Sequence, residues 1–316
     1  MRQYILRRLV YVPLIMAIVS VLAFFTLRMP WAIDPVTLYV NQNTTLEQEQ
    51  QIRRELGLDK PAVQQFFQWL AEVARGDLGV TFRSRQPVWE EIVRRLPVNL
   101  EILVLSILFS TLFGVAFGVI TAVKQNTTID YALRFLAVFG QSIPDFFLLV
   151  LLIVLPSIWW NYSAPVGGHI PLTRDPIENL RLYLPPTILL GVGGAAAMMR
   201  LTRSTLLEVF RQDYMRTARA KGLHGRAVVL QHGLRNALIP IVTLIGSQTT
   251  ALFFGSLILE QVFSINGLGQ FFLVSSVTGD FPVIQTLVLY TAFVVMVMNL
   301  LVDISYALID PRVKYT

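Results

Sequence analysis

ILVLSILFSTLFGVAFGVITAV, residues 102–123, runs 22 positions without a charge between Glu101 and Lys124. As a helix it is about 33 Å long, enough to cross the hydrocarbon core of a bilayer. Cutting the rest of the sequence at its charges gives five more such runs: 9–27, 135 to about 160, 182–199, 237–259 and 281–302. The third in chain order, 135–160, is interrupted only by Asp145. Charged residues make up 15% of the 316 residues and hydrophobic residues 54%, with a mean hydropathy of +0.58. A soluble domain carries roughly 25% charged residues, so a soluble enzyme is excluded. A disordered chain is excluded too, because low hydrophobicity is its signature. The expectation is an all-α, polytopic membrane protein with six transmembrane helices.

The first run follows Arg2, Arg7 and Arg8, as a signal peptide would, but it is too long and Leu27-Arg28-Met29-Pro30 offers no small-residue cleavage site. It reads as a retained helix. Orientation follows from Lys and Arg in the short loops. One set of ends holds 15 of them: Arg2, Arg7, Arg8, Lys124, Arg134, eight in 200–236, Arg312 and Lys314. The opposite short loops hold only Arg174 and Arg181. Both termini and the segment 200–236 are therefore expected in the cytoplasm. That segment has eight basic and two acidic residues, a net charge of +6 equal to that of the whole chain. The basic pI of about 9.7 is thus a topology signal, and nucleic acid is not implied as a partner. Cysteine is absent, and His169, His224 and His232 are too scattered for a metal site.

Three divisions follow: an N-terminal transmembrane helix (1–30), an extracytoplasmic helical segment (31–97) and a transmembrane domain (98–316). In the external segment Thr44-Thr45-Leu46-Glu47 resembles a capping box, and Gly57 is a stop. Asp59-Lys60-Pro61 opens a second helix with Val63, Phe66, Phe67 and Leu70 at helical spacing. Trp89, Ile92, Val93 and Leu96 repeat that period. The segment is either a cap packed on the membrane domain or a docking surface for an external partner.

The segment 200–236 is longer than a chain reversal needs. Residues 211–221 contain no Gly or Pro and Gly222 ends the run; 226–238 then leads into Pro240 and the next span. A short helix with small residues Ala218 and Ala220, ending in Gly, suits insertion into a groove on a partner. The alternative is a basic amphipathic helix held by anionic lipid headgroups.

Asp213-Tyr214-Met215-Arg216-Thr217-Ala218-Arg219-Ala220-Lys221-Gly222-Leu223, followed by Arg235-Asn236-Ala237-Leu238-Ile239-Pro240, resembles the cytoplasmic coupling motif of ABC-importer permeases, and more narrowly of the dipeptide/oligopeptide subfamily. Further pieces in order are Tyr4-Ile5-Leu6-Arg7-Arg8-Leu9, Glu55-Leu56-Gly57-Leu58-Asp59-Lys60-Pro61 and Gly76-Asp77-Leu78-Gly79. Phe263-Ser264-Ile265-Asn266-Gly267-Leu268-Gly269, Asp280-Phe281-Pro282-Val283, Asn299-Leu300-Leu301-Val302-Asp303 and Asp310-Pro311-Arg312 complete them. The general motif begins Glu-Ala-Ala where this chain has Arg216-Thr217-Ala218, a departure that suits the peptide subfamily. After the first span the subfamily shows Pro-Gly-Asp-Pro, whereas this chain reads Met29-Pro30-Trp31-Ala32-Ile33-Asp34-Pro35.

The resemblance implies the type I ABC-importer permease fold in a bacterial or archaeal inner membrane. It implies a pore made with a second homologous permease subunit, driven by two ABC ATPase subunits that bind ATP and Mg, and fed by an extracytoplasmic substrate-binding protein. ATPase-coupling residues on this reading are Arg216, Thr217, Ala218, Ala220, Lys221, Gly222 and Leu223. Cofactors are expected on the ATPases and none on this chain, which has no Gly-Lys pair for a phosphate loop and no His-Glu-x-x-His. It is not expected to be an enzyme. The subfamily resembles carriers of dipeptides, longer peptides, nickel chelates, glutathione and oligosaccharides, so the substrate stays open. The alternative function is a self-sufficient secondary transporter or channel, which would ordinarily place several ionisable groups at the midplane and show two related halves.

Asp145 is the acidic residue inside a predicted span. On a straight helix it lies about 16 Å past Arg134, near mid-membrane. It is either part of the substrate pathway, meeting a peptide's amino group, or part of a helix restart with Ser142 as N-cap and Asp145 at N3. Gly191-Val192-Gly193-Gly194-Ala195-Ala196-Ala197 reads as close helix packing, and Trp159-Trp160 as an interfacial anchor. Gly267 and Gly269 lie in an outer loop that is either a gate or a simple turn.

Overall fold

The computed structural model describes residues 2–29, 32–40, 44–162, 167 and 170–309. Pro30, Trp31, His169, Arg312, Lys314 and the Asp310-Pro311-Arg312 piece lie outside them. The helices are α1 (Arg2–Thr26), α2 (Leu46–Glu55), α3 (Ala62–Ala74), α4 (Val88–Val123), α5 (Thr128–Ser142), α6 (Asp145–Trp160) and α7 (Pro176–Val209). They continue as α8 (Asp213–Ala220), α9 (Gly225–Ala227), α10 (Arg235–Val262), α11 (Leu268–Thr278) and α12 (Phe281–Ile309), with a 3-10 turn at Pro35–Leu38 and a π-helix at Val228–Leu234. Among the described residues there is no strand, only an isolated bridge between Val80 and Pro87.

Among the described residues, four helices are long and apolar enough to cross a membrane: Val88–Val123, Pro176–Val209, Gly225–Leu252 and Phe281–Ser305. The run expected as one span over 135–160 is instead a pair, α5 and α6, bent by 93°. The cause is local. Ile143, before Pro144, takes the extended conformation (φ −94°, ψ 126°) that a following proline favours, and Pro144 has no N–H to continue the ladder. In the first helix the described apolar stretch, Val10–Thr26, is shorter than a full span.

The chain forms two compact units. The first is Met1–Pro97 with Asn266–Val297. Here Phe24 at the end of α1 meets Phe66 of α3 edge-to-face and Trp69 of α3 at a tilt, with the Arg28 guanidinium 3.5 Å over the Phe24 ring. Thr45 caps α2 and Gln48 reaches back to it, so the capping box sits one residue later than the sequence suggested. The distant segment is bound in by Asp280, whose carboxylate accepts the N–H groups of Phe82 (2.9 Å) and Arg83 (3.4 Å). Burial pushes that carboxyl up, against the pull of the donated N–H groups. Val88, Ile92, Leu268, Val283 and Leu287 form the apolar centre beneath.

The second unit is Val98–Ile265 with Met298–Thr316. Its packing rests on missing side chains. A Cβ on Gly114 or Gly118 of α4 would lie 2.5 Å from the Cβ of Met198 or Thr202 on α7. One on Gly191 of α7 would meet Phe109 at 2.9 Å, and one on Gly246 of α10 would meet Val302 at 2.3 Å. Small residues let backbones approach where lipid offers no hydrophobic drive between helices, and the glycine-rich run of α7 serves that purpose. Polar ties add to it. Gln248 of α10 donates to the Gly194 carbonyl at 2.8 Å, and Asn99 of α4 donates to Glu260 of α10 at 2.7 Å.

Asp130 of α5, fully buried, takes both Nε (3.1 Å) and Nη2 (2.9 Å) of Arg203 on α7 and the Asn126 N–H at 3.0 Å. Arg134 also lies 3.4 Å from this carboxylate, and removing Asp130 leaves the largely buried Arg203 without its counter-charge, at a cost of about 3 kcal/mol. Asp130→Ala should therefore lower the thermal midpoint of the detergent-purified protein by several degrees, with Arg203→Lys intermediate. A midpoint within a degree of the parent's would refute the role of this pair.

Candidate functional site

The segment after α7 is a short surface helix on an apolar seat. Phe210 ends α7, Arg211 and Gln212 make the turn, and α8 runs from Asp213 to Ala220. Asp213 opens it without a side-chain cap, favourably placed as an acid in the first turn, and Arg219 lies in the last. Met215 and Ala218, three apart and hence on one face, are buried against Val209 and Val228, with Phe210 packed alongside. The opposite face is held locally: Asp213 pairs with Arg216 at 3.7 Å, and the Thr217 hydroxyl donates to the Asp213 carbonyl.

The seven residues expected to couple divide by face. Arg216, Thr217, Ala220, Lys221, Gly222 and Leu223 are exposed, whereas Ala218 is buried in the seat. Gly222 has φ +77°, and a Cβ there would meet nothing within 4 Å. What makes glycine the suited residue here is the left-handed conformation that ends α8; space would admit a side chain. His224 then caps α9, its Nδ1 accepting the Arg226 N–H at 3.3 Å.

Sequence reading placed a plain helix over 226–238. The structure has α9, then seven residues of π-helix (Val228–Leu234), then α10, with Pro240 inside α10. Such wide turns are rare and concentrate at functional positions. Gly233 lies within it, where a Cβ would come within 3.0 Å of the Phe210 ring. The π-helix thus brings the chain back close to the seat of α8. No simple period announces it. The buried pair Met215 and Ala218 was detectable as an i, i+3 apolar pair in a polar stretch.

Asp145 lies apart from this segment. It is the first residue of α6, with Pro144 before it and no side-chain capping bond at that terminus. Ser142 belongs to α5 and its hydroxyl donates to the Val138 carbonyl at 2.8 Å. The restart geometry expected from sequence, with Ser142 as cap and Asp145 at N3, is therefore not the one formed. The bend between α5 and α6 also removes the straight-helix estimate of its depth. Its carboxylate faces Gly193 of α7, 3.7 Å from where a Cβ would stand. No group of three or more acidic or histidine side chains able to hold a metal ion occurs among the described residues.

Residues 114–315 match the family described as binding-protein-dependent transport system inner membrane component, and residues 1–103 match its N-terminal counterpart. The dipeptide transport system permease protein DppB of Escherichia coli (strain K12) is 37% identical over 340 aligned residues, covering 100% of this chain and 99% of that protein. The glutathione transport system permease protein GsiC of Escherichia coli O6:H1 is 38% identical over 315 residues, covering 100% of both. Among solved structures, a chain of the MetNI methionine ABC transporter in inward-facing conformations superposes with a TM-score of 0.55 at 22% identity, over 69% of this chain and 96% of that one. That likeness is one of fold.

Replacing Gly222 with Val forces a β-branched residue into the left-handed region, at about 1–2 kcal/mol. Amide hydrogen exchange over 213–223 should speed up roughly tenfold in Gly222→Val and much less in Gly222→Asn, since Asn tolerates that conformation. Equal exchange in both variants would mean that the backbone at Gly222 is not what fixes the end of α8.

Proposed function

Since the chain belongs to the family of binding-protein-dependent transport system inner membrane components, we propose that it is one pore-forming permease subunit of an ATP-driven importer of peptides. Substrate arrives on an extracytoplasmic binding protein, and a second, homologous permease subunit completes the pore. Two ABC ATPase subunits bind ATP and Mg and carry out the hydrolysis. The observation that carries this reading is the presentation of α8: a helix seated by Met215 and Ala218 that offers Arg216, Thr217, Ala220, Lys221, Gly222 and Leu223 outward. The cytoplasm is the side of this basic end, by the distribution of Lys and Arg.

Because α8 packs on the last turn of α7 and on the π-helix leading into α10, a push on its outer face is passed to two spans at once. Alternation between inward- and outward-facing packings then follows as rigid-body movement of packed helices. Peptide is favoured as cargo by the relatives named for dipeptide and glutathione transport. Asp145 is the proposed contact for a peptide's amino group along the pathway.

Leu223, 41% exposed, is the apolar contact just past the end of α8. In cells carrying the complete transporter, Leu223→Asp should cut peptide uptake at least tenfold while the chain stays in the membrane and its ATPases are no longer recovered with it. Undiminished uptake by that variant would defeat the coupling assignment. For Asp145→Asn, uptake of free-amine dipeptides should fall several-fold and that of N-acetylated ones should not; equal effects on both would remove Asp145 from amine recognition.

A further inference from the structure

Beside α8, in the same unit, a cavity of about 360 Å3 opens between the end of α4 and the start of the π-helix. Its walls are Val119, Val123, Val228, Val229 and Leu230, and two guanidinium groups, Arg219 and Arg226, stand at it. Neither arginine makes an ion pair with any described residue, and both are exposed. Glu208 and Asp213, the acidic residues of this segment, do not line the cavity. Gly225 contributes open space, since a Cβ there would touch nothing within 4 Å.

The apolar walls continue along α4. Leu112, Phe113, Phe117, Ile120 and Val123 are exposed on a helix long and apolar enough to cross a membrane, and Leu230 across the cavity is 55% exposed. An exposed apolar stripe therefore runs down the span and ends under two unpaired cations. Water satisfies the cations but not the walls; a hydrocarbon chain satisfies the walls but not the cations. A molecule with a phosphate at one end and an acyl chain at the other satisfies both. We propose that this cavity is a binding site for an anionic phospholipid, its phosphate between Arg219 and Arg226 and its acyl chain along Val123, Leu230 and the exposed face of α4. Basic pockets beside transmembrane helices recognise such headgroups by the same combination. The site lies beside the coupling helix, since Arg219 belongs to the last turn of α8.

Native mass spectrometry of the intact chain in mild detergent, titrated with dioleoyl phosphatidylglycerol or dioleoyl phosphatidylcholine, tests this. Phosphatidylglycerol should bind and phosphatidylcholine should not bind above background. Arg219→Gln and Arg226→Gln should each weaken phosphatidylglycerol binding about fivefold, which corresponds to ~1 kcal/mol per cation, and the double variant roughly 25-fold. Arg226→Lys, which keeps the charge, should retain most of it. Val123→Asn and Leu230→Asn should weaken it as well, because the acyl chain loses its wall. Equal binding of the two lipids, or an unchanged affinity in the double arginine variant, would overturn the proposal. So would displacement of the lipid by glycerol 3-phosphate together with no effect of the Val123 and Leu230 substitutions, which marks a site for free phosphate. Loss of all phosphatidylglycerol binding when the ATPase subunits are added would also overturn it, and would assign the cavity to the protein interface.

Discussion

The contact between α4 and α7, made where Gly114 and Gly118 stand against Met198 and Thr202, governs what the second unit can do. In lipid there is no hydrophobic gain in pressing two apolar helices together, so the drive is dispersion between surfaces that fit. A Cβ at either glycine would come within 2.5 Å of its neighbour, so any side chain there would part the helices. The same α7 is tied to α5 by Asp130 and Arg203 and to α10 through Gln248. Its last turn, through Val209 and Phe210, is the floor on which α8 rests. Displacement of α8 thus acts on a helix that is clamped on three sides, and clamped helices move as bodies.

The apolar seat of α8 and its polar outer face differ in kind. Met215 and Ala218 are small or flexible side chains that fill a shallow site without polar atoms to satisfy. Arg216, Lys221 and Leu223 are presented without deep packing, so substitutions there change what α8 meets and leave its fold intact. This separation lets one eight-residue helix be held firmly by its own chain while keeping a whole face for another molecule. In the first unit α3 has a comparable division, with Phe66 buried while Val63 and Phe67 are exposed.

Much of this was legible in the sequence because lipid imposes strong rules. Uncharged runs mark helices, and the glycine-rich stretch 191–197 marked a close approach. The end of α8 was legible from Gly222 alone. The fully buried Asp130 was not, because its partner Arg203 is 73 residues away and a charge near a span end reads as a boundary. The break before Asp145 was legible as a helix restart, one of two readings of that residue, but its 93° angle was not. Proline inside α4, α7 and α10 leaves each of those helices continuous, so a proline in an apolar run does not by itself foretell a break. The π-helix escaped for a similar reason: a wider turn uses the same residue types as an ordinary one.

The bend between α5 and α6 has a consequence for wetting. With 15 and 16 residues, each arm is about 22–24 Å long, short of the ~30 Å of a bilayer's hydrocarbon. The corner therefore leaves carbonyls at the end of α5 and the first amides of α6 outside any helical ladder. Among acyl chains each unpaired group would cost several kcal/mol. The Ser142 hydroxyl bonds the Val138 carbonyl, which already lies within the ladder of α5, so the freed groups need water or protein beside them. The corner that carries Asp145 must accordingly face something other than lipid tails, and whatever hydrates it also reaches that carboxylate.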